Sequence, residues 1–169
     1  MRAVCWQYNN VATKKSHEKR LQRLWHGSRD SARTPVQWSN ETNAGFTTGT
    51  PWFYVNENYP QINVAQQEAD ENSVLNFYRK AIKLRKELSC VKHGNYKEYG
   101  KLSGSFYTYS REDDKERILV VCSFTEKTKK WRVPSGFDLA NAELLLTNYI
   151  ETSSTTLKPY ETRVYYWKK

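Results

Sequence analysis

Ser28-Arg29-Asp30-Ser31-Ala32-Arg33-Thr34-Pro35-Val36-Gln37-Trp38 places two arginines four residues apart around one carboxylate. Pro35 then bars a helix from passing through, because it lacks an N–H and pushes the residue before it out of the helical region. Arginine is always charged, and its flat fork of five donors suits planar or vicinal oxygen acceptors. A second loop, Asn43-Ala44-Gly45-Phe46-Thr47-Thr48-Gly49-Thr50-Pro51-Trp52, follows closely. Gly45 and Gly49 allow tight bends there, while Phe46, Trp52 and Phe53 supply aromatic surface. Together these are groups that could line a site for a polar, ring-shaped ligand. The same residues also fit a structural ion pair, with Asp30 bridging Arg29 or Arg33, and ion pairs are commoner than sites.

Working outward, Ser28 to Val64 has no sustained helical or alternating period, and turn formers recur from Pro35 to Pro60. So long an irregular segment in a compact domain is usually functional or disordered, and aromatics such as Trp38, Phe46, Trp52, Phe53 and Tyr59 argue against disorder. Before it, Tyr8 to Trp25 predicts a polar helix stopped by Gly27. After it, Asn72 or Ser73 can cap a helix reaching Leu88, with Val74, Phe77, Tyr78, Ala81, Ile82 and Leu84 on one broad face. The period then changes to two. Strands are predicted over Ser105 to Arg111, Ile118 to Phe124, Lys130 to Val133, Ala142 to Tyr149 and Thr162 to Trp167. The run Ile118-Leu119-Val120-Val121 is nearly continuously apolar, as in a strand covered on both faces. Short strands at this spacing predict an antiparallel β-sandwich. Asp113 and Asp114, adjacent at a hairpin tip, read as a solvated turn and not as a catalytic pair.

The wording SRDSARTPVQW, then NAGFTTGTPWFYVNENYPQINV, then NSVLNFYRKAIKLRKEL, resembles the C-terminal part of the oligo-1,6-glucosidase/α-glucosidase group of glycoside hydrolase family 13. The likeness runs from Tyr8 to Lys169 in consistent order. It implies the C-terminal piece of a (β/α)8 barrel, its last loop and helix over residues 1–90, followed by an antiparallel β-sandwich domain over 91–169. It also implies an enzyme that hydrolyses short α-glucosides with retention, needing two carboxyl groups about 5 Å apart. In the family those acids and a third, stabilising Asp precede this segment, and no match to their motifs occurs here. The resemblance thus leaves no catalytic residue in the chain, which alone would be inactive and whose partner is the missing N-terminal barrel half. It assigns Arg29 to grip the non-reducing-end glucose at subsite −1. Arg33 is a second substrate-binding candidate, or holds the loop in shape with Asp30. Phe46 and Trp52 are expected to pack the loop, and Val36 stands where the family commonly has Met. No cofactor is implied.

Composition narrows the remaining classes. No apolar run is long enough to cross a bilayer, and the start MRAVCWQYNN has no apolar core of a signal peptide, which points to the cytoplasm and away from membranes. Cys5, Cys90 and Cys122 are far apart and lack CxxC spacing, and His17, His26 and His93 add no ligand pair, so neither a disulfide framework nor a metal site is expected. The net charge of +9 raises nucleic acid as a partner. Its distribution weakens that: eight Lys and Arg stand against two acids up to Trp38, and the stretch to Asn72 is wholly acidic among its charges. No nucleic-acid motif accompanies it. A β-sandwich acting alone as a carbohydrate-binding or interaction module is the other reading.

Overall fold

The computed structural model describes residues 32–100, 103–153 and 155–169. The helix expected over Tyr8 to Trp25, together with Arg29 and Asp30, lies outside the described residues. The chain divides into two compact units between Glu71 and Asn72.

In the first unit the irregular segment predicted up to Val64 is observed, with a 3-10 turn at Thr42–Gly45, and ends in a helix the sequence reading did not include, α1 (Val64–Ala69). Asn63 is buried and sets the start of α1: its Oδ1 accepts from Gln66 N at 2.9 Å, and its Nδ2 donates to the Tyr59 carbonyl at 2.9 Å. Two more N–H groups at that helix start, those of Val64 and Ala65, are taken by the carbonyls of Gln37 and Trp38 at 2.8 and 3.0 Å. Residues 37 and 38 are thereby tied to α1.

The second unit begins with α2 (Val74–Glu87), capped by Ser73, whose hydroxyl accepts from Asn76 N at 3.1 Å, and continues into the short α3 (Ser89–His93). Seven strands follow among the described residues: β1 (Asn95–Tyr99), β2 (Phe106–Glu112), β3 (Glu116–Ser123), β4 (Lys129–Lys130), β5 (Glu143–Thr147), β6 (Thr156–Leu157) and β7 (Thr162–Lys168). Five form an antiparallel sheet in the order β1-β2-β3-β7-β5, and β4 pairs only with β6. The apolar run of β3 is covered on both faces, as predicted. Leu119 and Val121 pack with Trp131, Leu157, Tyr165 and Trp167 on one side, while Ile118 and Val120 pack with Cys90, Leu146 and Val164 on the other.

Two features differ from the sequence reading. The second layer of the expected sandwich is only the two-residue ribbon β4–β6. The pairing runs one bond further, from Trp131 N to the Thr155 carbonyl at 3.0 Å, and stops before Pro134, which has no N–H to give. The opposite face of the sheet is covered by helix, since Phe77, Ala81, Leu84, Leu88 and Val91 pack on it. The helix and the strands accordingly fall in one compact unit, which begins at residue 72.

Candidate functional site

Gln37 is the organising residue of the described loop. Its Nε2 donates to the Ile62 carbonyl at 2.6 Å and to Asn58 Oδ1 at 3.1 Å, and its Oε1 accepts from Asn56 Nδ2 at 3.4 Å. Asn56 also donates to Thr34 Oγ1 at 3.4 Å. A side-chain amide suits this post because it offers donors and an acceptor together, so one residue can satisfy both the carbonyl at 62 and the amide at 56. The sequence reading did not single out Gln37, Asn56, Asn58 or Asn63. Their signal was the clustering of side-chain amides in a segment without backbone periodicity, where such groups replace the missing ladder.

The preceding turn is held by three successive residues in the left-handed region, Asn43, Ala44 and Gly45, at φ 55°, 58° and 66°. Asn43 stabilises the bend by donating to the carbonyls of Thr47 and Gly49 at 3.2 and 3.0 Å. Ala44 is fully buried, and its carbonyl accepts from Trp38 N and Ser39 N at 2.9 and 3.1 Å. Those bonds offset the roughly 1–2 kcal/mol that an L-residue pays for this conformation. Gly45 has a second reason to be glycine, as a Cβ there would stand 2.6 Å from Ser39 Oγ.

Arg33 is exposed, and among the described residues its guanidinium makes no hydrogen bond or ion pair. Arg29 lies outside the described residues, and the two are not brought together in what is described. Pro35 is buried. The aromatics do not pack as expected. Trp52 is 77% exposed and Phe46 41%, and Trp52 meets the Phe53 ring edge-on at 5.3 Å between centroids.

Asp113 is not a solvated tip. Its Oδ1 accepts from Lys115 N and Glu116 N at 2.9 and 3.0 Å, and its Oδ2 accepts from the Ser89 hydroxyl at the start of α3. The Ser89 hydrogen bond, with those backbone donors, holds its carboxyl below the usual range. Glu116 completes the junction: it accepts from Cys90 N at 3.1 Å and from the Tyr166 hydroxyl at 3.2 Å, and shares with Asp113 the one Ser89 proton, its Oε1 lying 3.1 Å from Ser89 Oγ. Burial pushes Glu116 up, but these donors outweigh it and its carboxyl is held low. Both carboxylates are structural pins between helix and hairpin. Burial, with those two charges beside it, pushes the Cys90 thiol up to about 12, which leaves it un-ionised and unreactive. Among the described residues no group of three His, Cys, Asp or Glu could hold a metal, and no helix is long and apolar enough to cross a membrane.

The first unit is thus an irregular, amide-braced loop with exposed aromatics and an exposed arginine, and the second is an antiparallel sheet unit. Residues 3–94 match the alpha-amylase family in its catalytic domain, more than half of the chain, and the chain belongs to that family, glycoside hydrolase family 13. It is 39% identical over 150 residues to the oligo-1,6-glucosidase of Parageobacillus thermoglucosidasius, covering 86% of this chain and 27% of that protein. It is also 39% identical over 138 residues to the trehalose-6-phosphate hydrolase of Escherichia coli, covering 79% of this chain and 25% of that one. Among solved structures, Bacillus licheniformis trehalose-6-phosphate hydrolase superposes with a TM-score of 0.78 at 31% identity, over 94% of this chain and 32% of its own. The trehalulose synthase of Pseudomonas mesoacidophila superposes at 0.80 with 35% identity, over 88% and 28%. The chain thus spans between a quarter and a third of the length of these relatives.

Proposed function

We propose that this chain is the C-terminal part of a retaining α-glucosidase of the oligo-1,6-glucosidase kind, which releases glucose from the non-reducing end of short α-glucosides. The observation that carries this is the 39% identity to an oligo-1,6-glucosidase across 86% of the chain. In this reading residues 1–90 are the tail of a (β/α)8 barrel and residues 91–169 the C-terminal β-domain; the catalytic-domain match over residues 3–94 supports that division. The bond-breaking carboxylates belong to the upstream part of the enzyme. Asp113 and Asp114 are no substitute, because Asp113 is spent on the α3 junction.

The chain's own contribution is positional. Arg29 grips neighbouring hydroxyls of the glucose at subsite −1, and Arg33 is the second substrate-binding candidate. A guanidinium bonded to two vicinal hydroxyls fixes the ring, so that the anomeric carbon is presented to the nucleophile at low entropic cost. Gln37 and its asparagines keep the loop in one shape before substrate arrives.

The test is a chimera in which this chain replaces the matching C-terminal segment of the Parageobacillus thermoglucosidasius enzyme. It is expected to cleave short α-glucosides. Arg29→Ala in that chimera should lower kcat/KM roughly 10- to 100-fold, the worth of a charge-assisted hydrogen bond or two. Unchanged kcat/KM in the variant would remove Arg29 from the site.

A further inference from the structure

A cleft of about 210 Å³ opens beside the start of β2, with Glu98, Ser103, Ser105, Tyr107 and Phe124 among its walls. Pleating brings these groups together. Glu98 pairs with Tyr109 in register, so Tyr96 and Glu98 of β1 share one sheet face with Tyr107 and Tyr109 of β2. Three rings stay open to solvent there: Tyr96 is 49%, Tyr107 39% and Phe124 66% exposed. Tyr109 props the two tyrosines, its ring centroid 5.7 Å from that of Tyr96 and 5.5 Å from that of Tyr107. The polar groups are held as well. Tyr96 donates to Glu98 Oε2 at 3.2 Å, so the 2.8 Å contact between the Tyr96 and Tyr107 hydroxyls uses the Tyr107 proton. On the other wall Ser103 Oγ accepts from Phe106 N at 3.1 Å, and Lys129 Nζ donates to Ser105 Oγ at 2.7 Å.

We propose that this cleft is a second saccharide site, separate from Arg29, which takes one hexopyranose ring of a neutral α-glucoside. The choice of an α-glucoside rests on the α-glucosidase reading; the cleft and its preference for a sugar ring do not. Size is the first argument. The cleft is smaller than the roughly 300–1,000 Å³ of pockets that enclose a whole ligand, so it seats one ring and leaves the rest outside. Its walls are the second. Open ring faces beside hydrogen-bonding groups match a pyranose, which has an apolar C–H face and a polar edge. The directions of the bonds are the third. Glu98 and Tyr107 have lone pairs to accept, while Ser103 and Ser105 accept from the protein and keep a proton to donate, and sugar hydroxyls do both. Charge excludes the ionic ligands: Glu98 on one wall offsets Lys129 at the other, which favours neither an anion nor an ammonium ion. A peptide strand added to the edge of β1 would use backbone groups and leave the carboxylate and serines idle.

The test is an NMR titration of the whole chain with maltose and with isomaltose, following backbone amide shifts, with glycerol and choline as comparison ligands. The amides of Ser105, Tyr107 and Phe124 should shift saturably, with a Kd on the order of 1 mM for so small and open a site. Phe124→Ala removes an exposed ring and should keep the melting temperature while weakening binding about tenfold. Glu98→Gln, which keeps the shape, should weaken it as well, and Arg29→Ala should leave this Kd unchanged. Absence of shifts at the cleft overturns the proposal, and so do shifts that Phe124→Ala leaves intact or Arg29→Ala abolishes. An equal response to glycerol, or tighter binding of choline, overturns it too, the latter in favour of an ammonium site. In the chimera described above, Phe124→Ala should change neither the melting temperature nor kcat on short glucosides. A fall in melting temperature there would mean that upstream chain covers the cleft, and the proposal falls. A chimera that cleaves nothing sinks the α-glucosidase reading alone, since the titration of this chain still decides the cleft.

Discussion

Glu161 is fully buried just before β7, and its carboxylate accepts from Arg163 Nε at 2.7 Å and from Lys158 N at 2.6 Å. Arg163 is itself 1% exposed and also donates to the Tyr165 hydroxyl at 3.1 Å and to the carbonyls of Thr156 and Ser153. Burial pulls the guanidinium down, but Glu161 and Tyr165 reverse this and hold its pKa above the ordinary value, so Arg163 stays charged. Two charges inside a core are tolerable only when every donor and acceptor has a partner. Glu161→Gln should therefore cost about 3–5 kcal/mol in urea unfolding, because it leaves a buried cation unpaired. Replacing both, as Glu161→Leu with Arg163→Met, should cost less than that single change. The alternation of Arg163, Tyr165 and Trp167 is plain in the sequence, but a charge on the core face is not something periodicity announces. Its acceptors come from a loop 7 to 10 residues upstream.

Among the elements, α3 is pinned to the β2–β3 hairpin by Ser89, Asp113 and Glu116. Both carboxyls are held below their ordinary values of 3.8 and 4.5, so the folded chain binds their protons less readily than the unfolded one. The stability they contribute is present above those values and is lost as pH falls through the lower folded ones. Thermal melts of the native chain and Ser89→Ala should accordingly differ at pH 7 and converge as the pH drops below about 4. A gap that persists at pH 2 would assign the effect to packing. The same junction makes Gly94 critical for space, since a Cβ there would stand 2.5 Å from the Cys90 carbonyl oxygen and 2.9 Å from Glu112 N. Backbone on both sides leaves nothing to give, and Gly94→Ala should cost about 1–3 kcal/mol, measured as a shift in the urea midpoint.

At the scale of the whole chain, α2 is a layer of the β-unit: its residues cover Ile118, Val120, Leu146 and Val164 on one face of the sheet. A polypeptide of residues 72–169 should therefore melt in a single cooperative transition. One of residues 91–169 should melt at lower temperature and bind a hydrophobic dye, because that face is stripped. Equal stability of the two would mean that the helix contributes nothing to the sheet.

Local chemistry was enough to set the main elements. Ser73 as a cap, the 3.6-residue period of α2, the period-two strands and the bare apolar run of β3 each depend on neighbours in sequence. So did the family, which rests on the order of short motifs such as Arg29 to Trp38. The packing partners were another matter. Nothing in the residues of α2 says which apolar stripe meets the sheet, and α1, β1 and β6 are too short or too polar to show a period. The roles of Gln37, Asp113 and Glu161 depend on groups brought near only when the chain has folded back on itself. A side chain's propensity is carried along the chain, whereas its hydrogen-bond partner is met across space.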